Sequence, residues 1–230
     1  MLRLVLVAAA TLILGSSLAL AQNSNPKVQV FGGYSFFHAD NAGLNSGQLD
    51  STLKVSPGLS VNNDFIDGWN AEVQYNATSH FGVVADVGGR RGSPITPVTG
   101  SGISGLPTSN SYSYLFGPVV SYRVTPRVTP FVHALFGWDD LRFDASTPKG
   151  LPTVSSTPKV TNSAFTLALG GGIDCKLTQH ASLRLAQVDY FRSTHDLRTV
   201  YGDLFGAGNF QNLALRQKNI RISAGIVIRF

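Results

Sequence analysis

Reactive side chains in this chain are few and scattered. Glu72, Asp86, Arg90, Arg123, His133, Asp174, Lys176, Arg184, Arg221 and Arg229 share one feature: each sits where an alternating segment turns its polar face. Glu72 and Asp86 are the pair with the sharpest chemical possibility. A tight turn centred on Ser79 sets them opposite each other on adjacent strands, and two facing carboxylates repel unless an arginine lies between them. Arg184 or Arg221 could bridge them. The arrangement suits a structural charge network first, a proton-linked gate second and an acid/base dyad third. His133 reads as a member of that network, since one histidine among arginines, with no second ligand at useful spacing, makes a poor metal site.

Other nucleophile and base combinations are thin. His180-Ala181-Ser182 is an H-x-S pattern at a tight turn, and Ser193-Thr194-His195-Asp196 is expected to be loop chemistry near the opposite end. Glu72 is the only glutamate, so a glutamate-completed triad on the later strands is absent. No G-x-S-x-G, P-loop, H-E-x-x-H or EF-hand pattern occurs. No catalytic residue, cofactor or metal is therefore predicted.

The elements that would carry these residues show period-2 alternation. Trp69, Ala71, Val73, Tyr75 and Ala77 alternate with Gly68, Asn70, Glu72, Gln74 and Asn76. Phe81, Val83, Ala85 and Val87 resume the pattern after Thr78-Ser79-His80, which reads as a hairpin with one apolar face. The last segment repeats it, with Ile220, Ile222, Ala224, Ile226, Ile228 and Phe230 against Arg221, Ser223, Gly225, Val227 and Arg229. The same reading gives eight strands, near 27–38, 67–78, 80–90, 110–124, 127–139, 161–177, 180–193 and 217–230. Most are long enough to cross hydrocarbon at a tilt. Pro118 falls inside the fourth, where a bulge is expected. Leu183 and Leu185 share a parity with Gln187 and Asp189, so the register should shift partway along the seventh.

The connections alternate in kind. Residues 78–80, 125–126 and 177–179 are tight turns, whereas 39–66, 91–109, 140–160 and 194–216 are long and rich in Gly, Ser, Thr, Asn and Pro. Long connections at one end and short turns at the other are the arrangement of an outer-membrane barrel. Tyr75, Phe81, Tyr122 and Phe230 near the short turns, with Trp69 and Trp138 near the long connections, read as two aromatic girdles. The Gly170–Gly172 run lies within a strand and reads as close backbone packing.

The bulk numbers agree. Charged residues make up only 13% of the chain, below the roughly 25% of soluble domains, and mean hydropathy is slightly positive. The net charge of +5 comes without a Lys/Arg cluster or basic helix, so no nucleic-acid partner is expected. Cys175 is alone and cannot form an internal disulfide. Arg3, the apolar run Leu4–Leu14 and Ala19-Leu20-Ala21 read as a cleavable export signal over residues 1–21. Residues 22–230 are then one domain, an all-β, eight-stranded antiparallel up-and-down transmembrane barrel.

On these residues the chain resembles the OmpA-like outer-membrane β-barrel family over nearly all of 22–230. The carrying stretch is Ile220–Phe230, supported by Val128–Ala134, Gly170–Gly172 and Arg184–Tyr190. The resemblance implies that Ile226, Ile228 and Phe230 form the signal read by the barrel-assembly machinery. It also implies an outer-membrane location with both termini periplasmic. A peptidoglycan-binding domain after the barrel is not expected.

An eight-stranded interior is only wide enough to be filled by side chains, so an open pore is not expected. The resulting reading is a monomeric, non-enzymatic barrel with a structural and surface-interaction role, its long loops forming the binding face. Outer-membrane lipids and lipopolysaccharide are expected partners, with a further surface ligand possible. Lys54, Arg142, Lys149, Lys159, Arg198 and Arg216 are candidates for phosphate contacts. The alternatives are a narrow gated channel and a lipid A-modifying enzyme.

Overall fold

The computed structural model describes residues 26–42, 59–61, 65–92, 95–106, 108–150, 156–196 and 214–230. The export signal, Lys54 and Arg198 lie outside them. Among the described residues ten strands run in chain order: β1 Val28–Ala42, β2 Leu59–Val61, β3 Phe65–Asn76, β4 Phe81–Gly92, β5 Ile95–Pro97, β6 Ser109–Ser121, β7 Val128–Phe143, β8 Val160–Lys176, β9 Ala181–Asp196 and β10 Ala214–Arg229. Eight of them close into a barrel in the order β1-β10-β9-β8-β7-β6-β4-β3, and β2 pairs with β5 in a separate two-stranded sheet. Every barrel pairing is antiparallel between consecutive long strands, with β1 and β10 closing the ring. Closure leaves no unpaired edge, the condition for a sheet in hydrocarbon.

Alternation decides which side chains face inward. Along β4 and β7 exposed and buried residues alternate almost without a break. The outward set is apolar: Trp69, Val83, Trp138, Leu169 and Ile226 are each about half exposed or more. The inward set mixes an apolar cluster, including Phe37, Leu115, Phe131, Leu135 and Phe191, with buried polar and charged residues. In a water-soluble domain the greasy face would be the inner one. Here the solvent around the barrel must itself be apolar.

Three local expectations are corrected. Pro118 makes no bulge: the β6–β7 register is the same on both sides of it, and pairing lapses only at Gly117 and Pro118. The missing N–H is thus absorbed as a gap on the β7 side, while Pro118 stays paired with Val83 on the other. Ser193-Thr194-His195-Asp196 is not a loop but the end of β9, with Ser193 and His195 buried. The long connections are also shorter than the sequence suggests, because β1, β7, β9 and β10 run three or four residues farther and β2–β5 forms between two of them. In β7 the extension keeps the alternation, with Leu141 and Phe143 buried on the inner face and Asp140 and Arg142 more open.

The register shift in β9 falls at Leu185-Ala186. Asp174 pairs with Arg184 while Ile173 pairs with Ala186, and the β10 side shifts at the same level. Leu185 and Ala186 both point outward. This one-residue bulge brings Arg184, Gln187 and Asp189 all onto the inner face despite their mixed parity. Gly170, directly opposite Asp189, supplies the room: a Cβ there would collide with Asp189 Oδ1.

Candidate functional site

The inner face gathers its charge in two groups. The central one is built from three cross-strand pairs. Arg221 on β10 lies opposite Asp189 on β9, Asp174 on β8 opposite Arg184 on β9, and Glu72 on β3 opposite Asp86 on β4. The first two pairs are of opposite sign and the third is a carboxylate pair. The two arginines resolve the third pair by reaching across the lumen.

Arg221 donates from Nε to Asp189 Oδ2 at 2.8 Å, and from Nη1 and Nη2 to the two oxygens of Asp86 at 3.0 and 2.9 Å. Arg184 donates from Nε to Asp174 Oδ1 at 2.8 Å and from Nη1 to Glu72 Oε2 at 2.6 Å. Each guanidinium therefore joins an acid on its own side of the barrel to one on the far wall. Gln187 ties the two units together, donating to Glu72 at 2.6 Å and to Asp189 at 2.9 Å while accepting from Arg184 at 2.6 Å. His133 Nε2 lies 2.7 Å from Asp189 Oδ1. A carboxylate only accepts, so that ring nitrogen carries the hydrogen.

Aromatic side chains complete the packing. The Arg184 guanidinium lies 4.4 Å from the Phe31 ring centre and 4.2 Å from that of Phe131. Arg221 lies 4.8 Å from Phe191. Both arginines are essentially inaccessible. Planar guanidinium presents its edge to carboxylates and its face to rings at once, which lysine cannot do. In the central group four carboxylates meet Arg184, Arg221, His133 and, at the margin, Arg229, whose Nη2 is 4.0 Å from Asp174.

A second group lies toward the long connections. Arg90 Nη2 donates to Asp139 Oδ2 at 2.7 Å, Ser111 donates to Asp139 Oδ1, and His195 Nε2 is 3.4 Å from the same carboxylate. Serine, histidine and aspartate thus meet, but in an order that defeats hydrolysis. Asp139 stands between Ser111 and His195, whereas a serine nucleophile must hydrogen-bond to the base that takes its proton. His195 Nδ1 is 2.9 Å from Asn162 Oδ1. The His180-Ala181-Ser182 pattern fares no better: Ser182 is buried on the inner face, and His180 Nδ1 lies 3.4 Å from the Arg229 carbonyl.

Of the residues projected inward from the sequence, Glu72, Asp86, Arg90, His133, Asp174, Arg184, Arg221 and Arg229 stand in these two groups. Arg123 stands beside them at the short-turn mouth of the lumen, lining a small cavity with Gln29, Asn76, Thr129 and Arg229. Lys176, the last residue of β8, is exposed at the same end and joins neither group. The sequence reading missed Asp139, Gln187 and the ring partners Phe31, Phe37, Phe131 and Phe191. Their parity on the strands was available as a signal. Polar–aromatic stacking inside a barrel leaves no alternation of polarity to reveal it. Among the loop cations, Arg142 stacks 5.1 Å from Tyr112 and lies 3.8 Å from Asp140, and Lys159 is 4.0 Å from Asp144. Of the side chain of Arg216 nothing is described.

A model of the outer membrane protein beta-barrel domain matches residues 6–226. Among solved structures, Ail, the attachment invasion locus protein of Yersinia pestis, aligns at 17% identity with a TM-score of 0.51, over 90% of this chain and 99% of that one. Neisserial surface protein A aligns at 12% identity with a TM-score of 0.51, over 87% of this chain and 97% of that one. At such identities the likeness is one of fold. No curated protein matches the chain.

Proposed function

We infer that this chain, which belongs to the outer membrane protein beta-barrel domain family, is a sealed structural barrel that acts through its long connections at the cell surface. The observation that carries the reading is the pair of cross-lumen arginine bridges, Arg184 to Glu72 and Arg221 to Asp86. They cross the middle of the lumen with paired, buried charge, which is what a sealed interior requires. What remains to meet other molecules is the end that carries the long connections. Loops on a rigid scaffold are where binding residues concentrate. Lipopolysaccharide phosphates at the outer leaflet are the nearest anions for Lys54, Lys149, Lys159 and Arg198, and a further surface ligand would meet the same loops. The barrel-assembly machinery would read Ile226, Ile228 and Phe230.

This reading places the long connections outside and the short turns, with both termini, in the periplasm. Limited trypsin digestion of intact cells checks it. Cleavage is expected after Lys54, Lys149, Lys159 or Arg198, with Arg127 and Lys176 protected until the cells are opened. Cutting at Arg127 or Lys176 in intact cells would invert the orientation. Release of the protein into the soluble periplasmic fraction would remove it from the membrane altogether.

A further inference from the structure

The cavity at the short-turn mouth of the lumen is assembled by strand register. Gln29, near the start of β1, lies directly opposite Arg229, the last residue of β10. Thr129, near the start of β7, lies opposite Asp174 on β8. Gln29, Thr129 and Arg229 share the parity of Phe31, Phe131 and Val227, so they stand on the inner face. Arg123, just past β6, and Asn76, the last residue of β3, close the lining, which reaches the exposed turn residues Thr78 and Ser79. The cavity volume is about 20 Å³, against about 10–15 Å³ for a single water on the same measure. It thus encloses about one or two oxygen-sized atoms, while the rest of a larger group faces the mouth.

Two guanidinium groups line this space, and among the described residues no aspartate or glutamate does. Arg229 is only 6% exposed, yet its Nε has no hydrogen-bond partner. Its Nη2 lies 4.0 Å from Asp174 Oδ2, beyond hydrogen-bond distance. Both oxygens of Asp174 already accept from Arg184, at 2.8 and 3.3 Å. Asn76 is committed as well, its Nδ2 donating to the Pro26 carbonyl at 2.9 Å and its Oδ1 accepting from Gln74 at 2.7 Å. Arg123 has a partner of its own, and its contribution is positive charge at the mouth. A buried charged donor left without an acceptor is costly. A water would satisfy Nε but would leave the two guanidinium charges uncompensated across the cavity, whereas an anion answers both demands.

We propose that this mouth is a binding site for a free phosphate-type oxyanion, held by Arg229 with the Gln29 amide and the Thr129 hydroxyl and drawn in by the charge of Arg123. The planar fork of a guanidinium matches the oxygens of an oxyanion. The side chains that form the site face into the circle of strands and not toward the lipid, so the anion arrives from water. The inference goes beyond the sealed-barrel reading and holds whichever way the barrel faces, because the cavity lies on the short-turn side of the arginine bridges.

The test is the phosphorus NMR line of inorganic phosphate, titrated with the full-length mature protein folded in a maltoside detergent that carries no phosphate, at fixed ionic strength. The expected result is saturable broadening of the line. Arg229→Gln should weaken the apparent affinity by about tenfold or more, the loss of one charge-assisted hydrogen bond. Should that variant fold poorly, Thr129→Asp sets a carboxylate in the lining and should abolish binding while leaving Arg229 in place. Lys176→Gln removes a cation at the same end but outside the cavity, and should leave the titration unchanged. No saturable broadening with the native protein would overturn the proposal and leave a water-filled mouth. Binding that survives both Arg229→Gln and Thr129→Asp would also overturn it, as would a loss on Lys176→Gln equal to that on Arg229→Gln, which would mean attraction by net charge alone. Displacement of phosphate by a small amount of phosphatidylglycerol added to the micelles would assign the site to a lipid headgroup and overturn the free anion.

Discussion

Replacing Arg221 by methionine is expected to destabilise the barrel by about 3–5 kcal/mol, the range for breaking a buried ion pair from one side. Arg221 holds two carboxylates on opposite walls, Asp86 and Asp189, and all three side chains are inaccessible. Methionine keeps length and a soft contact to Phe191 but leaves both acids without their cation. Asp86 would then face Glu72 across the β3–β4 pair with only Asn70, 3.4 Å away, to separate them. Urea unfolding of the refolded protein in bilayers, followed by tryptophan fluorescence, reads the loss. The companion variant Arg221→Met/Asp86→Asn/Asp189→Asn should recover most of it, because a neutral buried cluster carries no stranded charge. A single substitution costing less than about 1 kcal/mol, the ceiling for an exposed pair, would mean that water reaches the site and the lumen is not sealed.

The second large effect is on the opposite face. Leu169 is 62% exposed near the middle of β8, with Phe165, Leu167 and Ile173 sharing its outward side. In a water-soluble barrel an exposed leucine replaced by arginine changes stability by no more than about 0.5 kcal/mol. At the midplane of a bilayer the same change costs about 2–4 kcal/mol, falling toward zero near the interfaces. Leu169→Arg is therefore expected to be strongly destabilised in bilayers, while Tyr122→Arg, at the short-turn boundary, should be nearly neutral. Equal small effects at both positions would mean that the outer face does not meet hydrocarbon.

The two faces of the wall differ in how far the sequence reveals them. The outward face was legible because its code is strict alternation: Ile220 to Ile228 and Trp69 to Val87 spell inside and outside residue by residue. The facing of Glu72 and Asp86 followed from one tight turn, since register propagates two residues at a time from a fixed hairpin. Contacts across the lumen were harder. Arg184 and Glu72 are 112 residues apart, and which cation meets which acid depends on closure of β1 on β10 and on the bulge at Leu185-Ala186. The bulge left a trace, as conflicting parity in β9. The pairing of Arg90 with Asp139 left none, because the two lie 49 residues apart on β4 and β7, strands that are not neighbours in the barrel. At the short-turn end alternation says less: Lys176, the last residue of β8, keeps its ladder partner Ser182 yet is exposed at the rim.

The central claim is that Arg184 and Arg221 close the lumen. Single-channel recording of the native protein in planar bilayers tests it most directly. A barrel sealed by these arginines gives a membrane with no unitary steps above its baseline leak. Stable steps from the native protein, altered in size by Glu72→Gln, would contradict it and make the same arginines the parts of a gate.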